Sequence, residues 1–363
     1  FAGSPTTSVS GSPTTGSNMA VGRPSSSAPA LLLLLLPVLL PGQSSGFFPP
    51  ASRRHVRSLV HRANRGGPFV GLVLAFQTEA DAVDSSGEFV PRSDLPWVDM
   101  YGRRFHVGSI RGVPVIYVMT GQRRLNAGIT VQMLLDHFDV GGIVHYGTAG
   151  SADDSLSFGD VSVPKYVAFT GSWNWMRFNS SGGQVPDLSV AAYNTPKEGD
   201  NFLGRIEFKP EEYFSVGKQM QKVFWLETYP AWFELAQKLK DLKLESCANA
   251  TYCLPHSPIV VFGLKGATAD VFVDNAAYRQ FLFKRFDVST VDEESAAVVM
   301  TAMSPGVPVI IFRGVSDLAG GEPGYSSTTL SSLASTNALK VAVKFIELIG
   351  KKKQVHYSIT DGW

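Results

Sequence analysis

The sequence predicts an α/β fold over about residues 66–350, and two patterns indicate it. Short, almost wholly apolar runs recur along this region, as in strands that are covered on both faces of a sheet. Between several of these runs lie segments whose apolar residues are spaced for one face of a helix. The chain is 44% hydrophobic and 17% charged, and the region is long enough to enclose one large core.

The first half of this region begins with two predicted strands, 69–76 and 113–119, in which nearly every residue is apolar. Residues 128–138 form a predicted helix, because Ile129, Met133, Leu134 and Phe138 recur at helical spacing. A short apolar run over 142–146 is a predicted strand that ends in a glycine turn. Residues 160–169 alternate apolar and polar side chains, which predicts another strand.

The second half continues the alternation. Strands are predicted at 259–262, 288–291 and 309–312, and an Ala-rich helix at 294–303. The final helix has an apolar stripe from Ala338 to Ile349, and Gly350 is predicted to end it. Residues 172–245 interrupt the pattern with polar residues and two tryptophans, and we interpret them as an excursion within the same domain. Residues 47–66 are predicted to be irregular and residues 351–363 a loose tail.

The chain before this region predicts export. Residues 1–18 are rich in Ser, Thr, Gly and Pro and form a predicted disordered leader. Residues 19–46 form a predicted secretory signal peptide, with Met19, Arg23, an apolar run over 30–40 and then small polar residues. A membrane anchor is the alternative, but this run is too short to span a bilayer comfortably.

Two further features favour passage through the secretory pathway to an extracellular or vacuolar location, without a stable membrane anchor. Cys247 and Cys253 lie six apart in a polar stretch, a spacing that can close a small disulfide loop; two free thiols are the alternative. Asn179 and Asn249 each begin an N-glycosylation sequon. A signal peptide, a cysteine pair and two sequons together are stronger than any one of them.

Composition and motifs exclude several functions. The net charge is +1, so no electrostatic field directs the protein to nucleic acid. No two of its seven histidines have the spacing of a metal-binding pair, and its two cysteines cannot build a zinc site, so we expect no metal. Neither a dinucleotide fingerprint nor a phosphate-binding loop is present, and we expect no cofactor.

Polar residues follow the ends of four predicted strands, where ligands bind in open α/β sheets. Glu79 follows the first strand and the run 147–150 follows the strand at 142–146. The acidic run 292–294 and Asp317 follow two later strands. Several carboxylates are thereby predicted to converge where a small ligand would lie.

This ordered set resembles the nucleoside phosphorylase/nucleosidase superfamily, over about residues 66–350, and especially its methylthioadenosine/S-adenosylhomocysteine nucleosidases. His145-Tyr146-Gly147, with Trp173-Asn174-Trp175, resembles the plant branch of bark and vegetative storage proteins. The matching segments are the first strand with Glu79, the Gly-Thr-Ala-Gly run at 147–150, Ala-Asp-Val-Phe-Val at 269–273, Val-Asp-Glu-Glu at 291–294 and Arg-Gly-Val-Ser-Asp at 313–317.

The resemblance implies a three-layer α/β/α fold with a central mixed sheet, and cleavage of the bond between a purine and ribose. Asp317 would protonate the base and Glu79 would activate a water molecule. Glu294 would hold the ribose hydroxyls and Phe272 would stack on the base. The other substrate-binding positions carried over by the match are Glu293, Val273, Thr148, Ala149, Gly150, Arg313 and Ser316.

Two departures bear on the substrate. Glu293 stands where the family has a methionine that packs under the ribose. His145 stands where phosphate-using relatives have an arginine, and it is either a weak phosphate ligand or a core histidine. The residue-level alternatives are helix capping for Asp317 and Glu294, and a solvated first-turn position for Glu79.

Three functions follow as hypotheses. The first is a nucleosidase, the second a storage protein with a relic nucleoside pocket, and the third a phosphorylase with phosphate as a second substrate. The partner of the chain would be a small-molecule nucleoside. The resemblance also implies a homodimer, because relatives form dimers or larger assemblies.

Overall fold

The structure is a computed structural model that describes residues 53–176, 205–320 and 327–360. The predicted leader, the predicted signal peptide and the sequon at Asn179 lie outside these residues. The described strands are β1 Phe69–Leu74, β2 Phe89–Pro91, β3 Trp97–Met100, β4 Arg103–Ile110, β5 Val113–Met119, β6 Val140–Ser151, β7 Val161–Val163, β8 Tyr166–Phe169, β9 Trp173–Met176, β10 Arg205–Phe208, β11 Glu211–Tyr213, β12 Gln221–Val223, β13 Leu226–Glu227, β14 Val260–Phe262, β15 Lys265–Thr268, β16 Thr290–Asp292 and β17 Val309–Leu318.

Thirteen of the described strands join in one mixed sheet. Its main path runs in the order β13-β8-β15-β16-β6-β1-β5-β4-β2. Strand β1 lies between β5 and β6 and is parallel to both, and all six of its residues are buried, as its apolar run predicts. Strand β17 also runs parallel to β6. The carboxyl ends of β1, β5, β6 and β17 therefore meet at one edge of the sheet.

Helices cover both faces of this sheet, which confirms the three-layer α/β architecture. One core lies between the sheet and α2, α4 and α7, and the other between the sheet and α1, α3 and α6. None of the described helices is both long and apolar enough to cross a membrane. The described helices are α1 Arg53–Asn64, α2 Gln77–Ser86, α3 Arg124–His137, α4 Pro230–Ala236, α5 Ala276–Phe286, α6 Ser295–Met303 and α7 Ser327–Thr360.

The structure corrects two predictions at the ends of the domain. Residues 53–64, predicted to be irregular, form α1, because Val56, Val60 and Ala63 recur at helical spacing and pack into the core. The final helix does not end at Gly350 but continues to Thr360. A Cβ on Gly350 would overlap the side chain of Val113, so this glycine allows close packing of the helix rather than ending it.

The excursion at 172–245 is only partly separate from the sheet. Its described residues include two small antiparallel pairs, β9 with β10 and β11 with β12. Strand β13 then rejoins the main sheet beside β8, and Phe233 and Ala236 of α4 are buried in the core. The last part of this segment is therefore integral to the domain.

Candidate active site

A cavity of about 300 Å³ opens at the carboxyl edge of the sheet. It contains residues that follow β1 and β5, residues within β6 and β17, the junction of β16 with α6, and single residues from the loop after β15 and from α7. A volume of this size is at the lower end for small-molecule sites, roughly 300–1,000 Å³. The lining residues are Phe76, Thr78, Glu79, Gln122, Thr148, Ala149, Gly150, Phe272, Val291, Asp292, Glu293, Glu294, Ser316, Asp317 and Ser331.

Glu79 is a fully buried carboxylate in the wall of this cavity. Its Oε2 accepts a hydrogen bond from the backbone N–H of Ala75 at 2.6 Å, and its Oε1 accepts one from the backbone N–H of Thr148 at 2.8 Å. Burial raises the pKa of Glu79, against the opposing effect of Arg313 and these backbone donors. The side chain is thus no solvated first-turn glutamate: it joins the start of α2 to β6.

The glycine run at 147–150 is part of strand β6 and not a turn, which corrects the prediction. The strand continues to Ser151 because β17 pairs with it as far as Leu318. A Cβ on Gly147 would overlap Arg313 Nη1 and Glu79 Oε1, so only glycine leaves room for these two side chains.

Arg313 lies beneath the cavity and contacts three carboxylates. Its side chain is 1% exposed, and its Nε donates to Asp292 Oδ2 at 3.1 Å. Its Nη2 is 3.3 Å from Glu294 Oε2, and its Nη1 is 3.9 Å from Glu79 Oε1. The structure therefore places Arg313 as the buried counter-charge of the acidic wall, where the resemblance implied a direct substrate contact.

His145 supports Arg313 and does not line the cavity. Its Nε2 is 2.6 Å from Arg313 Nη2, and its Nδ1 is 3.0 Å from the carbonyl oxygen of Val73. Because a guanidinium only donates, Nε2 accepts and the ring proton resides on Nδ1. Burial, with Arg313 beside it, lowers the pKa of His145 to about 3, so the ring is neutral. Of the two interpretations from the sequence, this buried position fits the core histidine.

Asp292 and Glu294 lie at the start of α6, and only the side chain of Asp292 binds the backbone of the helix. Asp292 Oδ1 accepts from the backbone N–H of Ser295 at 3.0 Å and so caps the helix. Burial opposes the charge of Asp292, but Arg313 and the hydroxyls of Ser295 and Thr268 keep its pKa below the ordinary value. Glu294 occupies the N-cap position, but its side chain makes no capping hydrogen bond.

The carboxylate of Glu294 faces the cavity. Its Oε1 accepts a hydrogen bond from the backbone N–H of Arg123 at 2.9 Å. Burial raises the pKa of Glu294 to about 7, with Arg313 opposing and Asp292 adding to the shift. The group changes charge near neutral pH, which is unusual for a glutamate.

Asp317 and Ser316 both line the cavity, although they are adjacent in strand β17. The pairing of β17 with β6 shifts by one residue between Val315 and Asp317, which is a β-bulge. Strict alternation would turn one of the two side chains away, and the bulge brings both to the same side. Because Asp317 lies within a strand, the helix-cap interpretation does not hold for it.

Burial raises the pKa of Asp317, while the Ser316 hydroxyl, 2.6 Å from its Oδ1, partly opposes the shift; the charge of Asp274 adds to it. Phe272 lines the cavity with 64% of its surface exposed. Val273 instead packs into a small core cluster with Val291 and does not line the cavity. Of these two predicted substrate-binding residues, only Phe272 lies at the cavity.

Five lining residues were not among the predicted site residues. Gln122 follows β5, so the rule of strand ends would have found it. Ser331 comes from α7, and no local pattern marks it. The full set is Phe76, Thr78, Gln122, Val291 and Ser331, whereas Asp292 belongs to the predicted acidic run 292–294.

A family model described as the Phosphorylase superfamily matches residues 69–347. This chain belongs to the phosphorylase superfamily. The match contains every residue that lines the cavity, and it confirms the family predicted from the five segments.

Among members of the phosphorylase superfamily, the chain is 41% identical over 282 residues to bark storage protein A of Populus deltoides, covering 77% of this chain and 88% of that protein. It is 24% identical to a 5′-methylthioadenosine/S-adenosylhomocysteine nucleosidase of Halalkalibacterium halodurans, over 68% of this chain and 86% of that protein. The Helicobacter pylori nucleosidase of the same name, solved with butyl-thio-DADMe-Immucillin-A, has a TM-score of 0.54 at 18% identity, covering 77% of this chain and 97% of that one. This last likeness concerns the fold alone.

Proposed function

We propose that this chain hydrolyses the N-glycosidic bond of purine nucleosides. The observation that carries the proposal is that Glu79, Glu294 and Asp317, far apart in sequence, line one cavity. Relatives named as 5′-methylthioadenosine/S-adenosylhomocysteine nucleosidases support this reaction class.

Each carboxyl group has a place in the proposed reaction. Asp317, whose pKa is raised by burial, holds the proton that the departing base needs. Glu294 accepts hydrogen bonds from the ribose hydroxyls. Glu79, fixed by two backbone N–H groups, orients the attacking water. The three carboxylates that Arg313 contacts, those of Glu79, Asp292 and Glu294, stabilise the positive charge that develops on the sugar as the bond breaks.

The charge of the cavity favours water over phosphate as the nucleophile. Five of the described lining residues are acidic and none is basic. The two buried bases nearby do not reach the cavity, because Arg313 binds carboxylates beneath it and His145 is neutral. A phosphate dianion would therefore meet repulsion without a compensating cation. Phosphorolysis is accordingly the weaker alternative.

Storage is the second candidate, and the 41% identity to bark storage protein A favours it. In that case the cavity would bind a nucleoside without turning it over. Export belongs to the same proposal, and two structural features support it. Cys247 and Cys253 are bonded, and Asn249 lies exposed between them. A homodimer remains a proposal from the family resemblance.

The deciding experiment incubates purified mature protein with a panel of purine nucleosides, with and without phosphate. Chromatography would separate free base, ribose and ribose-1-phosphate. Free ribose as the product, at a rate that phosphate does not raise, supports the nucleosidase. Ribose-1-phosphate as the main product would contradict hydrolysis. Binding without base release would favour the storage function.

A further inference from the structure

Glu293 is an acidic residue in the cavity wall that the proposed reaction does not use. Its side chain is 14% exposed, and its Oε1 is buried without a hydrogen-bond partner among the described residues. The cation beside it is Arg123, whose Nε lies 3.7 Å from this oxygen. That distance suits an ion pair but is too long for a hydrogen bond. The Arg123 side chain is itself 62% exposed.

A buried carboxylate oxygen without a donor is uncommon in folded proteins, because it loses water and gains no partner. Burial raises the pKa of Glu293, Arg123 opposes the shift, and Asp270 and Asp292 add to it. Since Glu293 lines the cavity, a molecule in the cavity is placed to supply the missing donor.

The neighbouring residue indicates which part of a nucleoside faces Glu293. Arg123 links the two glutamates, because its backbone N–H donates to Glu294 Oε1 at 2.9 Å and its side chain pairs with Glu293. The two carboxylates therefore share one wall. If Glu294 takes the paired 2′ and 3′ hydroxyls, the donor that remains on the ribose is the group at the 5′ carbon.

We propose that Glu293 sets the specificity of the cavity by accepting a hydrogen bond from a hydroxyl or ammonium group at the 5′ position. A nucleoside with an apolar thioether there would leave the carboxylate unpaired and bind more weakly. The inference rests on the nucleosidase proposal and narrows it. The expected ligands are purine nucleosides with a free or amino-substituted 5′ carbon, in contrast to the methylthio compound that names several relatives.

The test is isothermal titration calorimetry, which measures the dissociation constant of the full mature chain for each ligand. The ligands are adenosine, 5′-deoxyadenosine, 5′-amino-5′-deoxyadenosine and 5′-methylthioadenosine. Asp317→Asn serves as the background in every protein, so that turnover does not consume the ligand. Without a further change, the protein should bind adenosine about 10- to 100-fold more tightly than the 5′-methylthio compound, the range of a hydrogen bond to a charged group. Glu293→Met should remove or reverse this preference.

Two further variants separate ligand selection from a structural role. Glu293→Gln keeps an acceptor but removes the charge. This variant should therefore keep its affinity for adenosine but lose the extra affinity that the negative charge gives to the positively charged 5′-amino compound. Arg123→Gln should keep the adenosine preference, because the carboxylate remains. If Glu293 only pairs with Arg123, both variants would lower thermal stability alike and leave the ratios of affinities unchanged.

The outcomes distinguish the two proposals. Nucleoside binding with the same relative affinities in the Glu293→Met protein and in its parent would overturn the role of Glu293 and leave the nucleosidase proposal standing. No binding of any nucleoside to either protein would overturn the nucleosidase proposal, and this inference with it.

Discussion

The acidity of Asp317 depends on its burial at the bulge of β17. Because its pKa is raised, the protonated form that can donate to the base persists to a higher pH than in an exposed aspartate. Base release should therefore fall as the pH rises through this raised pKa.

Asp317→Asn should lower base release by about 10²- to 10⁴-fold, the usual contribution of a general acid. The free energy of unfolding should not fall, because the amide has the shape of the acid and creates no cavity. Steady-state rates across pH and urea unfolding together measure this. Equal rates in the two proteins would exclude Asp317 as the acid.

Glu79→Gln should reduce both activity and stability, unlike the change at Asp317. Both carboxylate oxygens of Glu79 accept backbone N–H groups, and an amide can accept on one side only. The loss in unfolding free energy should be about 1–3 kcal/mol. Gln77→Ala, an exposed change in the same helix, is the control and should leave both quantities nearly unchanged. A stable but inactive Glu79→Gln protein would show that the carboxylate does not hold α2 to β6.

Glu294 should make stability depend on pH. Its pKa is raised from 4.5 to about 7, so its stabilising contribution is complete below pH 4.5 and is lost as the pH rises through about 7. Glu294→Gln cannot ionise and should lose less stability between pH 5 and pH 8. The difference should be on the order of 3 kcal/mol, by the conversion of pKa shifts to free energy. Urea unfolding at the two pH values measures it, and parallel losses would contradict the assignment.

Strand β6 can contribute to the site because Gly147 leaves room for the side chains of Arg313 and Glu79. Gly147→Ala would press a methyl group into Arg313 and Glu79, and should cost about 1–3 kcal/mol of stability along with activity. Gly128→Ala in helix α3 is the matched control. Its Cβ would have only the Thr301 hydroxyl at 3.7 Å, so it should stabilise the protein by about 0.5–1 kcal/mol. Thermal unfolding of both variants measures the two changes. Equal losses of stability in the two variants would argue against a special role for Gly147.

In the molecule as a whole, the large hydrophobic cores that stabilise the fold lie apart from the candidate active site. Two large cores lie on opposite faces of the sheet, and the cavity lies at the sheet's carboxyl edge. The disulfide of Cys247 and Cys253 lies outside both cores and is not part of the cavity wall. Its removal should therefore affect folding and leave the site intact.

The paired change Cys247→Ser and Cys253→Ser should lower the free energy of unfolding by on the order of 2 kcal/mol, because the bridge closes a short loop. Nucleoside affinity should not change. Protein from its own tissue should also begin near residues 43–48 and show no alkylatable thiol without reductant. Two reactive thiols, or an intact signal segment, would contradict the proposed export.

Much of the fold could be predicted because its causes are local. The apolar runs of β1 and β5 define buried strands wherever they occur in a chain, and their order suffices for an α/β class. The carboxylates Glu79, Glu294 and Asp317 were identifiable because each follows or ends a strand. The short elements β15 and α5 were not predicted, since Lys265–Thr268 is hardly apolar and α5 has only a weak apolar stripe.

The sequence by itself determined which strands carry the site and which acids stand at their ends. Only the tertiary structure decided what each side chain does there. It buried Arg313 and His145 under the cavity, gave Glu79 two backbone donors and extended β6 through its glycines. It also turned Ser316 and Asp317 to one side through a bulge. Apart from the hydrogen bond from Ala75 to Glu79, these outcomes depend on contacts between residues more than 60 positions apart, such as Glu79 with Thr148, and no local pattern encodes such contacts.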